Sequence, residues 1–437
     1  MIRFIITFIA LLAALPARAE VGIQELTTPG GINTWLVEDH SIPFVALELR
    51  FRGGAALDLP GKRGATSLMM ATLEEGSGEL DSRGFARSVE GLAASFSYDT
   101  GDDVVSVSAK MLTENRDEAV TLLRASLVEP RIEQADLDRV RGQVISIIQS
   151  DLKDPRNISE RAFDTLVFGD HPYSSSRNGT LETVGALTRE DLFEAHRNAL
   201  ALDRVYVSAV GDITADELTG LLDKLLGDLP ASGGPLPEDA EINLPGGVMV
   251  VDFDTPQSVA TFAQPGIDRD DDDFFAAYIL NHILGGGGFE SRLMTEVREK
   301  RGLTYGVYSY LLDMDSAQVW MGSVASANDR VAEAIEVIQA EWVRIREGGV
   351  TEAELNDAKT YLTGAYPLRF DGNGPIANIA VGMQMEGLPT DYIATRNDQV
   401  NAVTLEHINR VAKELLDPDS LTFVVTGKPE GLETTIN

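Results

Sequence analysis

The hydrophobic positions of this chain switch repeatedly between the two-residue period of strands and the period of about 3.6 that marks helices. Thr34-Trp35-Leu36-Val37 reads as a strand, and so does Phe44 to Phe51, where Phe44, Ala46 and Leu49 mix with Glu48 and Arg50. Helical spacing runs from Gly64 to Glu75 and from Ser82 to Ala94. Val105, Val107 and Ala109 alternate with Ser106 and Ser108, predicting a strand over Val104 to Ala109. Leu137, Val140, Val144, Ile147 and Ile148 predict a helix from Ala135 to Leu152. A strand from Val205 to Val210 closes at Gly211-Asp212, and a helix from Ala215 to Leu226 follows.

The segment 230–247 has no period. It carries Pro230, Gly233, Gly234, Pro235, Pro237, Pro245, Gly246 and Gly247, the composition of a linker. Beyond it the order restarts: strands Val248 to Phe253 and Val259 to Ala263, helices Phe274 to Leu284 and Ser291 to Lys300. A hairpin from Tyr305 to Val324, long helices and a strand from Leu421 to Thr426 complete the chain. Leu187-Thr188-Arg189-Glu190-Asp191-Leu192 resembles Val403-Thr404-Leu405-Glu406-His407-Ile408. The interval from Thr188 to Gly211 equals that from Thr404 to Gly427, and Glu190, Leu200 and Asp203 face Glu406, Leu416 and Asp419. Thr188 and Thr404 suit helix N-caps. A helix-then-strand unit of fixed length at the end of each half points to duplication. The fold class expected is α+β: two homologous halves, 20–229 and 248–437, each a mostly antiparallel β-sheet covered by α-helices on one face.

Composition narrows the function. The chain has 437 residues, enough for several domains, and 43% hydrophobic residues, as a globular protein does. Its net charge of -33 opposes binding to nucleic-acid phosphates. The absence of Cys removes disulfides, thiol nucleophiles and thiolate metal sites, and five His leave little imidazole chemistry. Met1 to Ala19 reads as a secretory signal peptide: Arg3, an apolar run from Phe4 to Leu15, and Ala17-Arg18-Ala19 as the cleavage site. The mature chain would start at Glu20, with no membrane span, in the periplasm or outside the cell.

Common catalytic signatures are missing. There is no Gly-x-Ser-x-Gly elbow and no Walker loop; the glycine-rich stretch Ile283 to Phe289 lacks the required Lys and Ser/Thr. Asp268 to Asp273 reads as a solvated acidic turn, because a calcium loop would place Gly where Asp273 stands. His40, His171, His196, His282 and His407 are scattered, none paired at the spacing that puts two ligands on one helical face.

Gly64 to Ser77, Gly169-Asp170-His171-Pro172-Tyr173, the Val205 to Asp212 strand and Gly285 to Tyr305 together resemble the pitrilysin/insulinase-type zinc peptidases. They resemble most the short-chain kind related to mitochondrial processing peptidase. The resemblance covers nearly the whole mature chain. Active members carry an inverted zinc motif, H-x-x-E-H, in the first helix, and a Glu ligand on a later helix. The matching segment here is Ser67-Leu68-Met69-Met70-Ala71. The resemblance therefore puts Ser67 and Ala71 where the family has His, Met70 where it has the base, and Ile147 where it has the third ligand. No other H-x-x-E-H exists in the chain. Arg298 and Tyr305, in Arg298-Glu299-Lys300-Arg301-Gly302-Leu303-Thr304-Tyr305, match the family's substrate-handling Arg and Tyr. Gly285, Gly286, Gly287 and Gly288 would let a peptide backbone come close.

The resemblance implies a non-catalytic subunit with no metal of its own. A homologous partner would supply zinc and the general base in a heterodimer acting on peptides or unfolded polypeptide. This chain would supply Arg298, Tyr305 and half of the chamber. The alternative is a catalytically inactive peptide-binding or assembly protein of the same fold.

Overall fold

The computed structural model describes residues 22–436, so the signal-peptide reading of Met1 to Ala19 lies outside the described residues. Strands β1 (Gln24–Thr27), β2 (Asn33–Glu38), β3 (Phe44–Arg52), β4 (Ser95–Thr100), β5 (Val104–Leu112) and β6 (Val205–Gly211) form a first sheet ordered β1-β2-β6-β3-β5-β4. Strands β7 (Gly247–Asp252), β8 (Gln257–Pro265), β9 (Thr304–Met314), β10 (Ala317–Ala327) and β11 (Thr422–Gly427) form a second, ordered β9-β10-β8-β11-β7. Pairing is antiparallel except for one parallel pair in each sheet, β2 with β6 and β7 with β11. The second order is the first read backwards without β1. The two halves are therefore copies of one topology.

The repeated unit expected from sequence is present. Thr188 and Thr404 both cap helices, accepting from the backbone N–H of Asp191 and His407. Gly211 and Gly427 both end their strands at positive φ, 135° and 153°. A Cβ on Gly211 would lie 2.2 Å from the Phe44 carbonyl oxygen, so only glycine fits there. Residues 230–246 between the halves form no helix or strand.

Helices of the first half are α1 (Ala65–Thr72), α2 (Ser82–Gly91), α3 (Arg116–Val128), α4 (Gln134–Asp151), α5 (Pro155–Phe168), α6 (Leu181–Ala186), α7 (Arg189–Ala199) and α8 (Ala215–Leu226). Those of the second are α9 (Phe274–Asn281), α10 (Val331–Gly348), α11 (Glu352–Ala365), α12 (Asn373–Met385), α13 (Tyr392–Ala402) and α14 (Leu405–Leu415). Leu47, Leu49 and Val107 on the first sheet pack with Leu68, Met69 and Leu123 from the helices. In the second half Phe262, Phe423 and Trp320 pack with Ile335, Ile338 and Trp342, and the Trp342 indole N–H donates to Gln264 at 2.7 Å. Each such side chain contributes about 2 kcal/mol on burial.

Sequence reading put helices on one face of each sheet. The structure adds a helix on the second face, and it comes from the other half. Helix α5 lays Phe163, Val167 and Phe168 against Ala263, Val319, Met321 and Val424 of the second sheet. Helix α12 lays Ala377 against Ala46 and Val210 of the first sheet, and Ala380 and Met383 near Trp35. Each exchanged helix also bonds a central strand of the opposite sheet. Ser159 Oγ donates to the Val424 carbonyl on β11 at 2.9 Å, and the Val207 N–H on β6 donates to Gln384 at 2.9 Å.

Phe163 is fully buried in this crossing. Phe163→Ala is expected to cost about 3–5 kcal/mol in equilibrium urea unfolding, the range for truncating a core aromatic. A loss below about 1 kcal/mol would show that α5 does not hold the halves together.

Candidate functional site

Helix α1 starts from Gly64, at φ 96°, and is capped by a carboxylate outside it. Asp58 accepts from the Gly64 and Thr66 N–H groups at 2.7 and 2.8 Å and from the Thr66 hydroxyl at 2.7 Å. The helix is packed nearly all round: Leu68, Met69, Met70 and Thr72 are buried, while Ser67 and Ala71 face a more open side. These two lie one turn apart on one face, the geometry that two ligands would need. Ser67 Oγ donates to the Arg177 carbonyl at 2.8 Å, and Ala71 has no polar atom. Met70, matched to the base position, belongs to the hydrophobic core.

Ile147, matched to the third-ligand position, is exposed on α4, whereas Ile148 is buried and lines an adjacent cavity. The inward face of α4 runs Leu137, Val140, Val144, Ile148, so Ile147 lies off that face. Either isoleucine lacks a donor atom. The residues present do not fit zinc: a hydroxyl tied to a carbonyl, a thioether in the core, a methyl and an alkyl chain cannot make the usual nitrogen–oxygen ligand set. Among the described residues no group of three or more His, Asp or Glu is placed to hold a metal ion.

The cavity beside α1 has a volume of about 330 Å³ and is lined by Ile148 and Asp151 of α4, Glu160 and Asp164 of α5, Asp102, and the segment 175–179. Asp102 is paired with Arg63 at 2.8 Å, and Asp151 accepts from Asn157 at 2.9 Å. Burial, with Asp102 and Glu160 nearby, pushes Asp164 up to about 7. Burial also pushes Glu160 up. Sequence reading missed these carboxylates. Their signal was Glu160 and Asp164 one turn apart on a helix, a like-charge pair that an isolated helix disfavours.

Arg298 and Tyr305 lie in the second half, and no hydrogen bond or ion pair among the described residues joins them to α1. Arg298 stacks 4.5 Å above the Phe289 ring and has no carboxylate partner among the described residues, whereas its neighbours Lys300 and Arg301 are both held by Glu296. Tyr305 is 87% exposed. It sits where the β9–β10 register shifts, between Thr304 and Val307, on an edge strand. Both side chains are thus free to meet something outside the chain. The glycines divide. Gly285 is buried, and a Cβ there would lie 2.4 Å from Ser309 Oγ, so its missing side chain serves packing within the chain. Gly286 is exposed, Gly287 and Gly288 are partly so, and Gly288 turns the chain at φ 59°. Two π-helical stretches, His282–Gly286 and Met294–Glu299, flank this region, and such bulges recur at functional sites.

The fold and the altered helix define a peptidase-like chain without a metal-binding set. The model of the peptidase M16 inactive domain matches residues 186–362, which include Arg298 and Tyr305. A Helicobacter pylori relative named as a non-peptidase homolog, YmxG, is 28% identical over 89% of this chain and 90% of its own length. A Bacillus subtilis relative named as an uncharacterized zinc protease is 23% identical over 91% of this chain and 96% of its own. A solved structure of a peptidase M16 inactive domain from Pseudomonas fluorescens superimposes with a TM-score of 0.87 at 28% identity, over 95% of this chain and 100% of that one. A protease from Helicobacter pylori shares the fold, with a TM-score of 0.84 at 17% identity over 93% and 99% of the two chains. The chain is thus similar to M16 peptidases in sequence and fold, and residues 186–362 match the inactive domain of that family.

Asp164 yields a pH prediction. Its unfolded value is 3.8 and its folded value about 7, so the folded chain keeps a proton that the unfolded chain has lost. Stability from this group is highest below the unfolded value and falls as pH rises towards the folded one. Asp164→Asn is expected to raise the melting temperature by about 3 °C or more at pH 8 and to change it little at pH 4. An equal shift at both pH values would contradict the assignment.

Proposed function

We propose that this chain is the non-catalytic subunit of a two-chain peptidase in the periplasm or outside the cell. A homologous partner carrying H-x-x-E-H would hold zinc and the general base. The observation that carries the reading is an asymmetry within one chain: the positions matched to metal ligands lack a ligand set, while Tyr305 is exposed and the partly buried Arg298 makes no ion pair among the described residues. Arg298 would orient a peptide carbonyl with its guanidinium, and the Tyr305 hydroxyl would donate to an oxyanion as charge develops. The Phe289 ring keeps Arg298 extended without neutralising it. The inactive-domain match and the relative named as a non-peptidase homolog support a chain that does not cleave by itself.

Co-expression with a secreted M16 relative bearing H-x-x-E-H tests this. The expected result is a stable pair with zinc-dependent peptidase activity that neither chain shows alone. Tyr305→Phe should lower kcat by about 10²-fold, as loss of one oxyanion donor does, and Arg298→Ala should lower kcat/KM by a similar factor. A pair that forms but cleaves equally well with both variants would favour the assembly role and end the complementation reading.

A further inference from the structure

A second cavity, of about 160 Å³, lies in the second half, away from α1, Arg298 and Tyr305. Three elements and a turn enclose it: α9 through Phe274, Phe275 and Tyr278; α12 through Ile379 and Met383; α13 through Tyr392 and Arg396; and the 3-10 turn Tyr366–Arg369. Its volume is close to that of a core cavity that takes one benzene ring. Aromatic walls alone would suit a cation, by attraction to the ring faces. Here those faces are already occupied by the protein's own cations. Arg396 stacks 4.6 Å from the Tyr366 ring and 5.4 Å from Tyr278; Arg269 stacks 4.1 Å from Phe274 and 5.2 Å from Phe275.

The charge in this place is unbalanced. No carboxylate lines the cavity, although the chain has 69 acidic residues against 36 basic ones. Arg396 is only 5% exposed, and its hydrogen bonds go to neutral oxygens, the Leu362 carbonyl at 2.9 Å and Asn397 at 3.1 Å. Arg269 donates to the neutral Tyr392 hydroxyl. Asp313 accepts from the Arg269 backbone N–H at 3.1 Å and Glu386 is near enough to feel Arg269, but neither forms an ion pair with its guanidinium among the described residues, and neither lines the cavity. Arg369 stands exposed at the mouth with no hydrogen bond or ion pair among the described residues. A guanidinium buried without an anion has lost water and gained no charge partner. A carboxylate entering between Arg369 and Arg396 would supply one through charge-assisted hydrogen bonds.

We propose that this cavity binds a small monocarboxylate with an apolar body, the body against the aromatic walls and the carboxylate on Arg396 and Arg369. Two sources share that chemistry, a free short-chain or aromatic acid and the C-terminal residue of a peptide. The site is independent of any partner chain, so it stands or falls apart from the peptidase reading.

Titration calorimetry on the full chain at low salt tests it with paired probes. The first pair is 3-phenylpropionate and 3-phenylpropionamide; the second is Ala-Ala-Ala-Phe with a free and with an amidated C-terminus. At least one acid should bind at submillimolar concentration, and its amide at least about tenfold more weakly, because the amide cannot offer a charge. Binding by the free acid only assigns the site to small acids, and binding by the peptide acid assigns it to chain ends. Arg369→Met should weaken the acid about tenfold without moving the melting temperature, since Arg369 makes no hydrogen bond or ion pair among the described residues. Acid and amide binding alike, no binding by either acid at millimolar concentration, or an unchanged affinity in Arg369→Met would each overturn the proposal.

Discussion

The structure depends on an exchange of helices between its two halves. Each sheet has one face buried under its own helices and needs cover on the other. Helix α5 supplies it for the second sheet and α12 for the first. The contacts are largely apolar and reciprocal, with side-chain hydrogen bonds onto central strands from each helix: Ser159 to Thr261 and Val424, and Gln384 and Asn378 accepting from Val207 and Arg50. The consequence is that neither half completes its core alone. It also fixes where the cavities fall. The carboxylate-lined cavity opens beside α5 and the arginine cavity beside α12, each where the helix leaves its own half.

This arrangement was only half legible in the sequence. Strands such as β3 and β5 announced themselves because one face is buried and the other polar, so the two-residue alternation survives. The repeat showed through Thr188 and Thr404 and through Gly211 and Gly427, since a cap and a positive-φ strand end each demand particular residues. Helix α5 did not show. Its apolar side faces a sheet that lies from 100 to 261 residues beyond Phe163, at Ala263, Val319 and Val424, and no local period identifies a distant partner. The strand β4 was missed for a related reason. Its residues, Ser95 to Thr100, lie at a sheet edge and alternate between exposed and partly buried, so their hydrophobic contrast is weak.

The candidate site was legible as a set of substitutions. Ser67, Met70 and Ala71 stand where zinc ligands and a base would be, and the structure shows why they are tolerated. Ser67 has taken a new partner in the Arg177 carbonyl, and Met70 fills core volume. Ile147, matched to the third ligand, is exposed, and its neighbour Ile148 is the residue on the packed face of the helix. What no motif could give was the electrostatic setting: Asp164 pushed up to about 7 by burial, and Arg298, Arg369 and Arg396 without anionic partners among the described residues of a strongly acidic chain.

These features describe a protein with the fold of the M16 peptidases it resembles, in which the positions matched to a metal site are ordinary packing. The most direct test of that claim is metal stoichiometry. The purified chain, incubated with excess zinc and then dialysed, is predicted to retain far less than one zinc per chain and to hydrolyse no peptide. One tightly held zinc per chain, with zinc-dependent cleavage by the chain alone, would contradict it.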